Sequence, residues 1–159
     1  MWLFPMESAH PLVVHYPIAL LLTALLLDGL AICFKRPGLH RVALWNFSLG
    51  TLGAGVAVWS GYQAAEVAKH TFEIHQVMEL HRKLGIATLV AGVVVAVWRL
   101  AARDRLGPWS RAITLLLTVG VAGTLSYGAH LGGRLVYEFG VGGTFGARPP
   151  THETHAHQH

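Results

Sequence analysis

Four long apolar runs constrain what this chain of 159 residues can fold into. A helix needs about 20 mostly apolar residues to cross roughly 30 Å of hydrocarbon. Four segments meet this requirement, at about 11 or 17 to 34, 42–65, 84–101 and 112–129. A helix satisfies its backbone hydrogen bonds within one segment, as a lipid environment requires. The sequence therefore predicts an all-α integral membrane protein, a four-helix bundle.

Composition favours a membrane protein over a soluble domain. The chain is 53% hydrophobic and 13% charged, which leaves too few charges for the exterior of a soluble domain. The formal net charge is +4, but the basic residues lie between the apolar runs and form no nucleic-acid-binding motif. We therefore expect no nucleic-acid partner. The single cysteine, Cys33, excludes an intrachain disulfide and CxxCH attachment of c-type haem.

The basic residues between the runs predict the orientation of the helices. Short cytoplasmic loops are enriched in Lys and Arg. The first and third connections share one side of a four-span chain, and they hold Lys35, Arg36, Arg41, Arg99, Arg103, Arg105 and Arg111. The segment before the first run has no Lys or Arg. We therefore expect an up-down-up-down bundle in the bacterial cytoplasmic (inner) membrane, with both termini on the outer, periplasmic side.

Glycines give two further expectations about the helices. They are frequent in the second and fourth runs, where small residues let helices pack closely in lipid. After the fourth run comes the segment LGGRLVYEFGVGG, whose glycines argue against a long helix. We divide the chain into a four-span membrane domain, 1–146, and a flexible His-rich tail, 147–159.

The 11 histidines are the most informative feature after the apolar runs. Several lie in the tail, and His40 lies in a predicted cytoplasmic loop. The other histidines map to the outward ends of the predicted helices or to the outward loop: His10, His15, His70, His75, His81 and His130. The topology therefore draws histidines from three regions of the chain into one layer near the outer membrane interface.

Bis-histidine ligation of haem b is the interpretation that we favour for this layer. Two imidazoles from different helices would bind the iron, and the bundle would supply an apolar slot. We rank His15 and His81 first as ligands of the haem iron, because each lies within a turn or two of the apolar part of its helix. His130 is the next candidate and His10 the third. His10 lies about 140° from His15 around a helix, so both cannot face one centre. This spacing allows two haems, or one ligand and one hydrogen-bond partner.

Two arginines near this layer are candidates for binding the haem propionates. Arg82 follows His81 directly, and Arg134 lies shortly after His130. A guanidinium group pairs well with a carboxylate. Both residues are also explained as cations at the membrane interface.

Other interpretations of the histidine layer stay open. His75 and Glu79 are spaced i, i+4 on one helical face, which suits a zinc or copper site. A proton or quinone site is a third interpretation, since ionisable groups near membrane depth are functional candidates by default. Asp28, inside the first run, is expected to face the bundle interior as a structural hydrogen bonder or as part of a proton path.

Three segments resemble a known family: HPLVVHYPIALL at the start, ELHRKLG before the third run, and GGRLVYEFGVGG near the end. They are similar to a bacterial four-helix membrane domain of unknown function with an HPxxVH[FY]PIAL-like start and a GxLVYxxG-like end. The resemblance covers nearly the whole chain except the tail. It implies the architecture, marks His10, His15 and His81 as motif residues, and implies an association with cytochrome-like domains.

These observations predict a b-type haem electron-transfer subunit of a larger membrane redox complex, in contact with lipid and with a periplasmic cytochrome or a quinone. The alternatives are a cofactor-free assembly subunit and a zinc- or copper-binding membrane protein. The sequence has no catalytic triad, phosphate loop or Rossmann fingerprint. We therefore expect an electron carrier or accessory subunit rather than a stand-alone enzyme.

Overall fold

The computed structural model describes residues 6–67, 71–102 and 107–141, and the regular structure in these ranges is entirely helical. The helices are α1 (Met6–Val13), α2 (His15–Cys33), α3 (Pro37–Val67), α4 (Phe72–Ala102) and α5 (Pro108–Tyr137). Four segments are long and apolar enough to cross a membrane: Ala9–Cys33, Pro37–Glu66, Phe72–Ala102 and Trp109–Tyr137. The predicted all-α fold with four candidate spans is confirmed. The His-rich tail and His70 lie outside the described residues.

The helices extend beyond the apolar runs that predict them. Helix α4 begins a full three turns before residue 84, so that His75 and His81 of the predicted outward loop lie on a helix. Helix α5 continues through Gly132 and Gly133 to Tyr137, so the expectation of no long helix after the fourth run was wrong. A helical glycine costs only about 1 kcal/mol, and packing against neighbouring helices offsets that cost. The chain turns only at Gly140, whose φ is 66°.

Helices α1 and α2 form one nearly continuous span with a single irregular turn at Val14. The amide of Val14 still donates to the carbonyl of His10 at 3.1 Å. Pro17 lies in the first turn of α2, as the sequence predicts, where the missing N–H of a proline costs little. The backbone of Val14 keeps helical dihedral angles, φ −63° and ψ −23°, and His10 on α1 reaches Ser60 of α3.

The described helices form a closed ring in which α2 packs on α3, α3 on α4, α4 on α5, and α5 on α2, while α1 packs on α3. The centre is filled by Leu21, Ala24, Phe47, Val95, Ala96 and Val121. Glycine allows the closest contact: a Cβ at Gly50 would lie 2.8 Å from Cγ of Leu21, and one at Gly53 would lie 3.4 Å from Cδ of Pro17. The predicted close packing holds for these two glycines. Gly120 and Gly123 on α5 are exposed instead.

A buried ion pair joins α2 to α4 at one end of the bundle. Arg99 donates two hydrogen bonds to the carboxylate of Asp28, at 2.6 and 3.0 Å. His40 Nδ1 lies 2.9 Å from Oδ1 of the same carboxylate. Asp28 and Arg99 are only 4% and 6% exposed. We call Asp28, His40 and Arg99 the Asp28 cluster, and the end of the bundle that holds it the Asp28 end.

The Asp28 cluster confirms one expectation and corrects two. Asp28 faces the bundle interior and acts as a hydrogen-bond acceptor, as predicted. His40 was assigned to a loop, but it lies in the first turns of α3. Arg99 was counted among the loop cations, but it lies within α4 and is buried. Both errors arose because hydropathy shows where a helix is apolar. It does not show which residues of facing helices lie at the same depth in the bundle.

Removing one member of the Asp28–Arg99 pair is expected to destabilise the protein. Arg99→Met leaves a buried carboxylate without its two strongest hydrogen bonds, so we expect the free energy of unfolding to fall by about 3–5 kcal/mol. The double variant Asp28→Leu/Arg99→Met removes both charges and should recover most of that loss. Unfolding in mixed detergent micelles, followed by circular dichroism, measures both effects.

Arg134→Gln provides the control for this experiment. Arg134 forms an exposed i, i+4 ion pair with Glu138 at 2.8 Å, so its loss should cost about 0.5 kcal/mol or less. If Arg99→Met were as stable as Arg134→Gln, the Asp28 cluster would have no role in holding the bundle together.

Candidate functional site

The opposite end of the bundle contains a cavity of about 580 Å³. We call it the histidine cavity, and the end of the bundle around it the histidine end. Its volume falls in the range of roughly 300–1,000 Å³ that is usual for small-molecule and cofactor sites. Small side chains make up much of its wall, among them Ala54, Ala57, Gly61, Ala64, Ala65, Gly85, Gly128, Ala129, Gly132 and Gly133. Their size leaves room for a ligand between the helices.

His10 enters this cavity from α1 and is held by α3. Its Nδ1 lies 2.9 Å from Oγ of Ser60. Ser60 in turn donates its hydroxyl proton to the carbonyl of Ala57 at 3.0 Å. When the Ser60 hydroxyl donates to Ala57, its oxygen accepts from His10, and the ring proton of His10 then lies on Nδ1. The unprotonated nitrogen is therefore Nε2.

His81 enters the cavity from α4 and is held by α5. Its Nδ1 donates to the carbonyl oxygen of Gly128 at 2.8 Å. A carbonyl can only accept, so His81 also carries its proton on Nδ1 and has a lone pair on Nε2. An Nδ1–H bond to a backbone carbonyl is the arrangement that usually orients a metal-binding histidine.

The rings of His10 and His81 face each other across the bundle. Their centroids are 6.2 Å apart and their planes are nearly perpendicular, at 82°. Helices α1 and α4 are not packed neighbours within the described residues, so these side chains meet in the space between them. The arrangement brings two imidazole rings together in one cavity. Imidazole nitrogens can bind a metal ion or accept hydrogen bonds from a bound molecule.

Two glycines lie against the edges of these rings. A Cβ at Gly61 would lie 3.0 Å from Cε1 of His10, and a Cβ at Gly132 would lie 3.1 Å from Cε1 of His81. Real side chains rarely approach this closely, so each glycine makes room for its histidine. Ser60, Gly61, Gly128 and Gly132 were not identified from the sequence. The sequence does contain a signal for the glycines. They lie at the outward ends of the second and fourth apolar runs, at the same depth as the histidines.

The other candidate histidines lie closer to the surface. His15 lines the cavity but is exposed, and its Nδ1 donates to the carbonyl of Pro11 at 2.6 Å. His130 is exposed and stacks on Tyr127, with ring centroids 6.4 Å apart. The structure thus brings His81 together with His10, the lowest-ranked candidate, rather than with His15. The ligand role of His15 stays a prediction.

The charged candidates form ion pairs with residues of their own helices. Arg82 pairs with Glu79 at 2.5 Å and lies over the ring of Tyr62, at 5.8 Å from its centroid. Arg82 and Glu79 both line the cavity. Arg134 pairs with Glu138 and is not among the residues that line it. Of the two candidates for propionate binding, Arg82 is therefore the better placed.

The zinc or copper alternative gains no support from the described residues. No three His, Cys, Asp or Glu side chains among them lie close enough together to hold a metal ion. His75 is exposed, and Glu79 accepts from both Arg82 and Lys83. The His-rich tail lies outside the described residues, as does His70.

The family assignment agrees with this architecture. A family model described as predicted membrane protein (DUF2231) matches residues 7–144, most of the chain. The chain belongs to the DUF2231 family. The match confirms the resemblance to a membrane domain of unknown function, and it includes both histidines that meet in the cavity of this DUF2231 protein. Comparison with curated proteins and with solved structures found no match.

Adding a methyl group at Gly132 is expected to disturb His81. Gly132→Ala forces the ring to move, whereas Gly133→Ala places its Cβ in open space. We expect Gly133→Ala to raise the free energy of unfolding by up to about 1 kcal/mol, because alanine favours a helix. Gly132→Ala should lose all of that gain. Equal stabilisation of the two variants in detergent unfolding would show that the His81 ring does not rest on Gly132.

Proposed function

We propose that this DUF2231 protein binds haem b in the histidine cavity, with His10 and His81 as the axial ligands. It then passes electrons near the outer face of the membrane, as a subunit of a larger redox complex. The partners would be a periplasmic cytochrome or a quinone. The proposal retains the cofactor that the sequence favours and replaces one of its two expected ligands.

The separation of the two rings is the observation that carries the proposal. A metal–imidazole bond is about 2 Å long and a ring nitrogen lies about 1 Å from the ring centroid, so two imidazoles on one metal have centroids about 6 Å apart. The rings of His10 and His81 have centroids 6.2 Å apart. The separation of the rings therefore matches the one that two imidazoles on a single iron would have.

The hydrogen bonds of the two histidines support the same function. With the proton of each ring on Nδ1, both histidines can offer Nε2 to a metal without losing a proton. Their hydrogen-bond partners are neutral oxygen atoms on α3 and α5, which fix each ring without adding a charge in the membrane. Haem supplies the one-electron chemistry, and the protein supplies the ligands, the apolar walls and the exclusion of water.

The shape of the cavity also suits a planar macrocycle. The ligand-bearing helices α1 and α4 face each other across the bundle, α3 packs against both of them, and α5 packs against α4. A plate held between the two rings would thus have its edges toward α3 and α5, where small residues line the cavity. Arg82, at the cavity wall, would exchange Glu79 for a propionate carboxylate.

We place the histidine cavity near the periplasmic side of the inner membrane, in an up-down-up-down bundle with both termini outward. The support is the distribution of positive charge. Arg36, Arg41 and Arg111 all lie near the Asp28 end, which positive-inside orientation assigns to the cytoplasm. Electrons would therefore enter or leave on the periplasmic side.

Single histidine replacements test the ligand pair. We expect His10→Ala and His81→Ala to lose the b-type signal in a dithionite-minus-oxidised spectrum of the detergent-purified protein. His15→Ala and His130→Ala are the matched controls and should keep it, because both side chains are exposed and bind Pro11 and Tyr127 instead. Pyridine haemochromogen analysis gives the number of haems per chain.

Each other outcome has a defined meaning. Loss of haem in His15→Ala with retention in His10→Ala would support the His15–His81 pair that the sequence predicts. Loss in all three would support two haems. Protein that contains no haem, when produced with ample haem supply and its native partners, would contradict the proposal. It would favour a cofactor-free assembly subunit, or a zinc or copper protein if metal analysis were positive.

The hydroxyl of Ser60 is expected to matter for the cofactor although it does not touch it. Ser60→Ala removes the acceptor that fixes the His10 ring, and losing such a partner typically weakens metal binding about 10–100-fold. Ser48→Ala is the control, because Ser48 Oγ on the same helix is buried without a hydrogen-bond partner. Haem titration of the apoprotein measures both affinities. Equal affinities would show that Ser60 does not orient the ligand.

A further inference from the structure

The first and last spans separate at the histidine end of the bundle. In the described residues, α5 packs on the first span only along α2, and α1 and α5 do not pack on each other. Both nevertheless line the histidine cavity, with His10 and Pro11 on α1 and Gly132, Gly133 and Val136 on α5. A Cβ at Gly133 would meet no atom within 4 Å. The cavity therefore has a side opening between these helices, which we call the α1–α5 opening.

The walls on this side of the cavity are apolar and belong to two candidate membrane spans. Val14 and Ile18 line the cavity from the first span, and Ala129 and Val136 line it from α5. All four are half-buried, as expected of residues at the edge of a cavity. A molecule that enters here comes from the bilayer rather than from water. The α1–α5 opening therefore favours a membrane-soluble ligand over an ion or a polar metabolite.

His15 supplies a polar group at the edge of the cavity. Its ring lines the cavity and is exposed, whereas the ring of His10 is half-buried. Nδ1 of His15 donates to the carbonyl oxygen of Pro11 at 2.6 Å, which leaves the lone pair of the neutral ring on Nε2. Within the described part of the chain, this Nε2 has no hydrogen-bond partner. A ligand that binds it must therefore carry an O–H or N–H donor.

A quinol meets both requirements. It dissolves in the membrane, its ring is flat, and its two hydroxyl groups are hydrogen-bond donors. The corresponding quinone has only carbonyl acceptors, which cannot bind an unprotonated Nε2. The choice of a quinol among hydroxyl-bearing membrane molecules rests on the proposed haem function, which requires a partner that exchanges electrons.

We propose that the α1–α5 opening is the binding site of a membrane quinol, with one hydroxyl group donating to Nε2 of His15. The head group lies against Gly133, where the absence of a side chain leaves room for the ring. The apolar tail extends into the bilayer between the two spans. The site therefore prefers the reduced form of the ligand to the oxidised form.

Binding of decylubiquinol and decylubiquinone to the full chain tests this site. The protein is placed in phosphatidylcholine nanodiscs and titrated anaerobically with each ligand in a calorimeter, with empty nanodiscs as the blank. His15→Ala removes the acceptor. His130→Ala is its matched control, because His130 is an exposed histidine at the same end that does not line the cavity.

A second pair of variants tests the opening itself. Gly133→Leu fills the space between α1 and α5. Gly120→Leu is its matched control, because a Cβ at Gly120 also meets no atom within 4 Å but Gly120 does not line the cavity. Circular dichroism of each variant shows whether it is folded.

We expect decylubiquinol to bind about fivefold more tightly than decylubiquinone, and His15→Ala to remove this preference, because one hydrogen bond contributes a factor of that order. Gly133→Leu should abolish binding of both forms. Both control variants should bind like the unsubstituted chain. Equal binding of the two forms, or equal effects of His15→Ala and His130→Ala, would overturn the role of His15.

Two further measurements separate this proposal from its alternatives. Dioleoylglycerol that binds as tightly as decylubiquinol would show a general site for hydroxyl-bearing lipids and overturn the quinol assignment. The visible spectrum of each sample gives its haem content. Haem-containing protein that binds no quinol would overturn this site alone, whereas haem-free protein that binds quinol through His15 would support this site and contradict the haem proposal.

Discussion

The bundle is held together across its diagonal by contacts between side chains rather than by contact between helix backbones. Helices α2 and α4 lie on opposite sides of the ring, and the buried Asp28–Arg99 pair bridges them. In a bilayer the hydrophobic effect does not drive helices together, so packing and polar contacts must do so. A bidentate guanidinium–carboxylate pair has a fixed geometry. It therefore sets both the distance and the rotation of α4 relative to α2.

Because the Asp28–Arg99 pair fixes the two spans at one end of the bundle, the histidine end can contain a cavity. The same two spans that meet through an ion pair at the Asp28 end meet at the histidine end through His10 and His81, with a cavity around them. A pair of neutral imidazoles is a weak link between helices, and the small residues of the cavity wall give up packing energy. The ion pair at the Asp28 end thus offsets the packing energy that is lost around the histidine cavity. This division is what a cofactor site needs, because its ligands must keep their positions before the cofactor binds.

Hydropathy was sufficient to predict the helices, and the position of the histidines was sufficient to predict a histidine layer. The side chains that pair with one another across the bundle were not predictable in the same way. The sequence ranks His10 below His15 because both cannot face one centre from a single helix, whereas the structure places His10 against Ser60 of α3 and leaves His15 exposed. Arg99 was read as a loop cation because it lies near the end of an apolar run. Pairing across a bundle depends on helix rotation and axial shift, which a single sequence does not contain.

Arg99 is one of the basic residues from which the orientation of the helices is predicted, and it has a second role in the structure. A basic residue near the end of a span can remain in the interface, or it can turn inward if an acid on another helix compensates the cost of burial. Asp28 is buried at the same level as Arg99, so Arg99 turns inward, while Arg111 stays exposed at the same end. One arginine then stabilises the bundle, and the other remains at the surface. The presence of a buried acid, rather than the number of cations, decides which arginine takes which role.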